Sequence, residues 1–209
     1  MIKVLVDNGH GVETPGKRSP DGRLREYKYA REIAASVVAR LKELGYDAGL
    51  IVEEDRDVSL QDRCKRVNNW CELKGSKNVI LVSVHVNAAG NGEWMNATGW
   101  SAYTSRGQTS ADKLADCLYD AAKEALPGKK MRTDYSDGDP DIEAGFYILK
   151  HTRCAAVLTE NFFQDNKQDV DFLLSKEGRE SIVQLHVNGI VNYINLNSAT
   201  LYLTLFISA

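Results

Sequence analysis

The chain has 209 residues, of which 43% are apolar, and its 26 Lys and Arg against 29 Asp and Glu give a formal net charge of −3. This length allows one domain with a sizeable core and nearly excludes a separate binding domain. The mildly acidic balance disfavours nucleic acid and anionic membranes as partners. Four cysteines without C-x-x-C spacing indicate reduced thiols, and neither a disulfide framework nor a zinc knuckle.

Strand-like and helix-like segments alternate along the chain. This alternation predicts a single α/β domain with a mostly parallel or mixed central sheet and helices on both faces. The predicted strands are residues 2–6, 50–52, 79–86, 99–105 and 155–163. Residues 79–86 are so continuously apolar that we expect a central strand buried on both faces.

Apolar residues at three- and four-residue steps predict helices over 26–44, 60–73, 110–125 and 176–194. Gly45 follows the first of these helices, at the position where a glycine commonly ends a helix. Residues 128–145 contain several Gly and Pro among charged residues, so we expect a long surface loop that could shape a substrate groove.

The two ends of the chain show no membrane or export signal. Residues 1–7 begin as a strand and lack the features of a signal peptide, so nothing in them directs export. Residues 200–207 are apolar but far shorter than the roughly 20 residues of a membrane helix. This last stretch is interpreted as an edge strand, a partner-binding tail or a remnant of cloning.

Two of the four histidines lie at the ends of predicted strands, where an open α/β sheet faces its ligand crevice. His10 follows residues 2–6, and His85 lies near the end of 79–86. A single histidine is more often structural, and His151 and His186 fit that interpretation. A catalytic zinc ion would need a third protein ligand beside His10 and His85.

Two acidic residues are candidates for that third ligand. Glu13 gives an H-x-x-E spacing with His10, as metallo-carboxypeptidases use, but this spacing is frequent by chance and Glu13 lies in a loop. Glu26 would open the first helix, so the backbone would fix its direction. The residue pattern leaves both candidates open.

Glu160 is an ionisable residue in the apolar run 155–163. Such a residue costs free energy unless it is paired or placed at a site. It is either an acid in water at the end of the strand or a general acid or base whose pKa the apolar surroundings raise, and its neighbours favour the second interpretation.

Two other motifs are incomplete in the sequence. Thr14 stands where the third glycine of a dinucleotide-binding loop should be, which disfavours a dinucleotide cofactor. A G-x-S-x-G motif is absent, so the serine nucleophile of an α/β-hydrolase is absent too.

Four blocks in order along the chain resemble the zinc-dependent N-acetylmuramoyl-L-alanine amidases, the catalytic domain of bacterial cell-wall amidases, spore-cortex enzymes and phage endolysins. The family's D-x-G-H-G loop, helix-opening glutamate, S-x-H-x-N-A strand end and Y-x-L…A-V-L-x-E-x-x-F segment are similar to residues 7–11, Glu26, 83–88, and 147–149 with 156–163. The resemblance implies a catalytic domain over 1–195, followed by a short apolar tail of unknown role, 196–209.

The resemblance also implies a role for each matching residue. His10, Glu26 and His85 bind zinc, which favours Glu26 over Glu13, and Glu160 is the catalytic acid and base. Asp7 either orients a ligand from behind or only caps its loop. The sequence departs from the family pattern at Asn8, where a proline is usual, at Asn161, where a small residue is usual, and in the loop 128–145.

The implied reaction is hydrolysis of the amide between N-acetylmuramic acid and L-alanine, with peptidoglycan as the substrate. The alternatives are a zinc metallo-carboxypeptidase that uses Glu13 and a non-catalytic module that binds cell walls. We expect a monomer, without nucleic-acid partners or stable membrane insertion. It would be made in the cytoplasm and act on the wall after release, as a phage or prophage endolysin does, or be a fragment of an exported protein.

Overall fold

A six-stranded mixed sheet forms the centre of the computed structural model, which describes residues 1–207. The strands are β1 (Lys3–Asn8), β2 (Asp47–Leu50), β3 (Val79–Asn87), β4 (Trp100–Thr104), β5 (Ile142–Glu143) and β6 (Ala155–Phe163). Their order across the sheet is β2-β1-β3-β6-β4-β5. Strands β4 and β6 run antiparallel and the other neighbouring pairs run parallel, which confirms the predicted mixed sheet.

Six α-helices accompany the sheet within residues 1–207: α1 (Glu26–Glu43), α2 (Leu60–Lys74), α3 (Asp112–Ala125), α4 (Tyr147–His151), α5 (Lys167–Leu174) and α6 (Lys176–Ile207). Helices α1, α3, α5 and α6 contribute to the larger hydrophobic core, while α2 and α4 contribute to a separate, smaller core. The prediction of helices on both faces is therefore confirmed.

The central strands are buried on both faces because successive side chains point in opposite directions. In β1, Val4 and Val6 enter the larger core and Leu5 enters the smaller one. In β3, Val82 enters the larger core and Leu81 enters the smaller one. Strands β1, β3 and β6 are thus neighbours that run parallel in the middle of the sheet, and their carboxyl ends lie at the same edge.

Local sequence signals explain where the first two helices end or begin. Gly45, at φ +86°, lets the chain turn back after α1, and its N–H donates to the carbonyl of Lys42 at 2.9 Å. Ser59 precedes α2, and its hydroxyl accepts a hydrogen bond from the Asp62 N–H at 3.1 Å. Both boundaries agree with the predicted helices.

The structure corrects several predicted boundaries. Strand β2 starts at Asp47, earlier than the predicted 50–52, and the predicted loop 128–145 includes the short edge strand β5. The backbone of α6 stays helical to Ile207, so the edge-strand interpretation of the tail is wrong, and residues 208–209 lie outside the described part.

Two further observations concern cysteines and membranes. The four cysteines, Cys64, Cys71, Cys117 and Cys154, are free, as predicted. Within the part of the chain that the structure describes, none of the helices combines the length and the apolar character needed to cross a membrane.

Candidate functional site

Three predicted ligands meet at the carboxyl ends of β1 and β3. His10 follows β1, His85 lies near the end of β3, and Glu26 is the first residue of α1. One ligand atom from each lies within 4.8 Å of the other two. Glu26 Oε1 is 3.3 Å from His10 Nε2 and 3.1 Å from His85 Nδ1, and the two imidazole rings are nearly perpendicular.

Glu26 is the buried member of the group, with 1% of its surface exposed. Its Oε1 accepts a hydrogen bond from the Val86 N–H at 3.0 Å, while Oε2 is buried and finds no hydrogen-bond partner in the described chain. Burial by itself would raise the pKa of Glu26, but hydrogen bonds and charge from His10 and His85 outweigh it and hold this pKa below its usual value. An ionised, buried carboxylate with a free oxygen is suited to a cation.

His10 adopts a left-handed backbone conformation, with φ +62°, which is unfavourable for a residue other than glycine. Two guanidinium groups hold its carbonyl oxygen, because Arg31 Nη1 donates at 3.0 Å and Arg63 Nη2 at 3.1 Å. These bonds offset the strain that the turn imposes. The histidine is therefore fixed from behind through its backbone.

Asp7 does not touch a predicted ligand side chain through any observed hydrogen bond. Its carboxylate instead accepts bonds from Arg63 Nη1 and from the Ser83 hydroxyl, each at 2.5 Å. Asp7 thus secures Arg63, which in turn holds the His10 loop through the carbonyl of His10.

Gly9 is required by the close approach of the His10 loop to β3. A Cβ atom at this position would lie 2.4 Å from Cε1 of His85, well inside van der Waals contact. The Gly9 N–H also donates to the carbonyl of Val84 at 3.1 Å, which extends the pairing of β1 with β3. The loop can pass over the imidazole only because this residue lacks a side chain.

Glu160 lies beside His85, since the two residues pair in register on the neighbouring parallel strands β6 and β3. Its Oε2 is buried and has no hydrogen-bond partner among the described residues. Burial, and to a lesser extent the charge of Glu26, raises the pKa of Glu160 to about 8, although His85 and Lys17 oppose this shift. The expected effect of apolar surroundings on this pKa is therefore present.

The strand pairing is interrupted immediately after Glu160. The register of β3 and β6 shifts between His85 and Asn87, and Phe162 adopts φ +63°. Asn161 stabilises this bulge, because its Nδ2 donates to the carbonyl of His85 at 2.9 Å and its Oδ1 accepts from Trp100 Nε1 at 2.9 Å. The unusual asparagine thus has a specific structural partner on each side.

A cavity of about 510 Å³ is lined by His10, His85 and Glu160, while the buried Glu26 lies behind the two histidines and does not line it. Val58, just before α2, and Leu60, the first residue of α2, are apolar residues that line the cavity. Phe146 and Tyr147 also line it. Lys17 also lines the cavity and brings a cation to it.

The other candidates lie outside this group. The Glu13 carboxylate accepts a hydrogen bond from the Asp57 N–H at 2.8 Å and does not join the histidines. His186 is fully buried between the Ile182 carbonyl and the Thr159 hydroxyl, and His151 stacks on Tyr147. These contacts agree with the structural interpretation of both histidines.

Sequence reasoning missed Arg63 and the role of Gly9. Arg63 is 2% exposed and lies on α2 beside the buried Cys64 and Val67. An arginine next to the apolar face of a predicted helix was the signal that could have identified it, because a buried charge requires an oppositely charged partner. The need for glycine at position 9 depends on the distance between two strand ends, which the local sequence does not reveal.

Comparisons with known proteins agree with this geometry. A family profile described as N-acetylmuramoyl-L-alanine amidase matches residues 4–192. The chain is 28% identical over 207 residues to the amidase CwlM of Bacillus licheniformis, covering 97% of this chain and 73% of that protein. It is also 28% identical over 201 residues to an endolysin of Bacillus phage SPP1, covering 92% and 66%.

A solved structure gives the same result for the fold. The amidase AmiC2 of Nostoc punctiforme superposes with a TM-score of 0.77 at 25% identity, covering 93% of this chain and 97% of that one. Since the family profile spans nearly all of the sheet and both helical layers, the chain belongs to the N-acetylmuramoyl-L-alanine amidase family.

Proposed function

We propose that the chain hydrolyses the amide between the lactyl group of N-acetylmuramic acid and the L-alanine of the peptidoglycan stem peptide, with zinc as its cofactor. Membership of the amidase family supports the substrate and the bond. The convergence of His10, Glu26 and His85 beside Glu160 is the observation that carries the mechanism.

The donor set fits a catalytic zinc ion. Two imidazoles and one carboxylate are a common ligand set for such an ion, which leaves a further position for water. The buried and unpaired Oε2 of Glu26 supports this fit, because an isolated carboxylate oxygen is costly without a cation or a donor. His10, Glu26 and His85 would hold the ion. When bound, zinc lowers the pKa of water towards about 7 and polarises a carbonyl group.

Glu160 supplies the proton transfers in this proposal. Burial raises the pKa of this carboxyl above its ordinary value, which brings it closer to the neutral range where a group that both takes up and releases a proton is most effective. Glu160 takes a proton from the attacking water and delivers it to the amide nitrogen, which leaves as an amine. Its free Oε2 lets it do so without first breaking a hydrogen bond within the described chain.

Digestion of purified peptidoglycan tests the proposal. The zinc-loaded chain is expected to separate the glycan from intact stem peptides, with new L-alanine amino termini detected by mass analysis. Glu160→Gln should keep its zinc and lose activity by about 10²–10⁴-fold, the usual contribution of a general acid or base. A fully active Glu160→Gln variant would contradict the assigned mechanism.

Glu13 provides a matched control. Glu26→Ala is expected to lose zinc, whereas Glu13→Ala should retain it, because Glu13 bonds the Asp57 N–H and not the histidines. Zinc lost from Glu13→Ala but kept by Glu26→Ala would favour the carboxypeptidase alternative. Wall binding without release of amino termini would favour a non-catalytic module.

The similarity to a phage endolysin supports a further proposal about where the enzyme works. We place its action at the cell wall, after release from the cell that makes it. Expression with and without a separate membrane-permeabilising protein tests this, since lysis should depend on that protein.

A further inference from the structure

The loop 128–145 contains a second concentration of acidic side chains. Residues 134–143, with the sequence DYSDGDPDIE, hold five carboxylates and no lysine or arginine. None of these ten residues lines the described cavity beside His10 and His85. The acidic group is therefore separate from the candidate zinc centre.

Asp141 is the buried member of this group, with 2% of its surface exposed. Its Oδ2 accepts a hydrogen bond from the Thr104 hydroxyl on β4. Its Oδ1 is also buried, but no residue in the described part of the chain donates a hydrogen bond to it. One oxygen of this carboxylate is therefore satisfied by Thr104, and the other is buried without a hydrogen-bond donor among the described residues.

Asp139 presents a second oxygen of the same kind. Its Oδ1 is buried and likewise lacks a donor among the described residues, and its carboxyl lies within hydrogen-bonding reach of the Asp141 carboxyl. Ionised carboxylates accept hydrogen bonds and cannot donate them. Two carboxylates this close repel each other when both are ionised. The arrangement therefore requires either a shared proton or a cation between them.

The negative charges around Asp141 make a positive charge at this position more favourable. Burial, contact with Asp139 and the charge of Asp112 raise the pKa of Asp141 to about 7. Asp112 itself is satisfied, because both of its oxygens accept hydrogen bonds from Thr109. It therefore contributes negative charge while its own oxygens are already occupied.

We propose that Asp139 and Asp141 form a second metal site, which binds a hard divalent cation, namely calcium. Calcium takes six to eight oxygen ligands, so two carboxylates leave positions for backbone carbonyls and water. The site would hold the acidic loop against β4 through the Thr104–Asp141 contact. The loop leads through β5 to Phe146 and Tyr147, so the bound ion would also fix that wall of the substrate cavity.

Thermal unfolding of the zinc-loaded chain at about pH 8 tests the proposal, because the pKa of Asp141 is raised to about 7 and a proton competes with the cation below that pH. Calcium at a few millimolar is expected to raise the melting temperature by about 5 °C, the shift produced by a ligand at several tens of times its Kd. Magnesium at the same concentration should raise it less, since magnesium gives up its water reluctantly. An equal or larger magnesium effect would contradict the choice of calcium.

Isosteric variants locate the binding. Asp139→Asn and Asp141→Asn should each abolish the calcium-dependent shift, and each should melt above the wild type without calcium, because the repulsion is removed. Asp137→Asn makes the same charge change at an exposed position of the loop and should keep the shift. The proposal is overturned if calcium leaves the wild type unchanged, which would leave a shared proton as the occupant, or if both variants keep the shift.

Discussion

Arg63 and Asp7 form a buried ion pair directly behind the loop that carries His10. The guanidinium Nη1 lies 2.5 Å from Asp7 Oδ1, and both side chains are about 2% exposed. The same guanidinium donates to the carbonyls of Asn8 and His10, at 2.6 and 3.1 Å. One charged group from α2 thus fixes both the end of β1 and the strained turn that carries His10 at the candidate metal site.

Arg63→Ala is expected to destabilise the fold and to empty the zinc site. Removing one partner of a buried ion pair leaves the other charge uncompensated, which costs about 3–5 kcal/mol. The His10 carbonyl also loses one of its two guanidinium donors. Urea unfolding gives the loss of stability, and zinc content measured on the folded fraction gives the loss of affinity.

Arg66 offers a matched control on the same helix. It pairs with Glu54 at 2.6 Å, but both side chains are about one-third exposed. Such partly exposed pairs contribute about 1 kcal/mol or less, so Arg66→Ala should retain zinc and most of its stability. Equal effects of Arg63→Ala and Arg66→Ala would show that the burial of the Asp7 pair is unimportant.

Gly9→Ala should reduce zinc affinity by about tenfold or more, a typical effect of disturbing the groups that orient a metal ligand. The added methyl would meet the His85 ring at 2.4 Å, so either the ring or the loop must move. Gly145→Ala is the control, because a Cβ there meets nothing within 4 Å. Competition with a zinc-sensitive dye measures both affinities, and unchanged binding by Gly9→Ala would disprove the close-contact argument.

Elements with a clear hydrophobic period could be predicted from the sequence. Helix α1 and strand β6 agree closely with residues 26–44 and 155–163. Three short elements could not be predicted in this way, namely strand β5 and helices α4 and α5. Strand β5 forms because it pairs at the edge of the sheet, and the two helices form because they pack against the cores. Periodicity needs several turns or residues to be visible.

The site shows the same division. The sequence predicts His10 and His85 as residues at strand ends, but spacing alone leaves both Glu13 and Glu26 open as the third ligand. The choice depends on where α1 begins relative to the sheet, and the Glu26 N–H is bonded to the Lys17 carbonyl across a loop. This is a tertiary relationship, so the motif resemblance had to supply what local spacing could not.

Asn161→Ala should destabilise the chain by about 1–3 kcal/mol, because the fully buried Trp100 Nε1 would lose its acceptor. Comparing this change in the wild type and in a Trp100→Phe background isolates the bond, since phenylalanine has no N–H to leave unpaired. The cost of Asn161→Ala should be smaller in the second background. Equal costs in the two backgrounds would refute this explanation of the asparagine.

His186 should make stability fall as the pH falls. Burial lowers the pKa of this histidine from 6.5 to about 4, so the unfolded chain binds a proton between these values that the folded chain does not. Its stabilising contribution is therefore present above pH 6.5 and is lost as the pH falls towards 4. Between pH 7.5 and 5 the loss amounts to about 2 kcal/mol.

The raised pKa of Glu160 has the opposite effect in this range. A carboxyl that keeps its proton up to about pH 8 in the folded chain makes the fold more stable as the pH falls.

Comparison of the metal-free wild type with metal-free His186→Gln removes the Glu160 contribution, because Glu160 is present in both proteins. Urea unfolding at the two pH values should show the acid-dependent loss to be about 2 kcal/mol smaller in the variant. The same substitution at the exposed His151 is the matched control. Parallel pH profiles for wild type and His186→Gln would mean that folding leaves the pKa of His186 unchanged, contrary to the lowering that its burial produces.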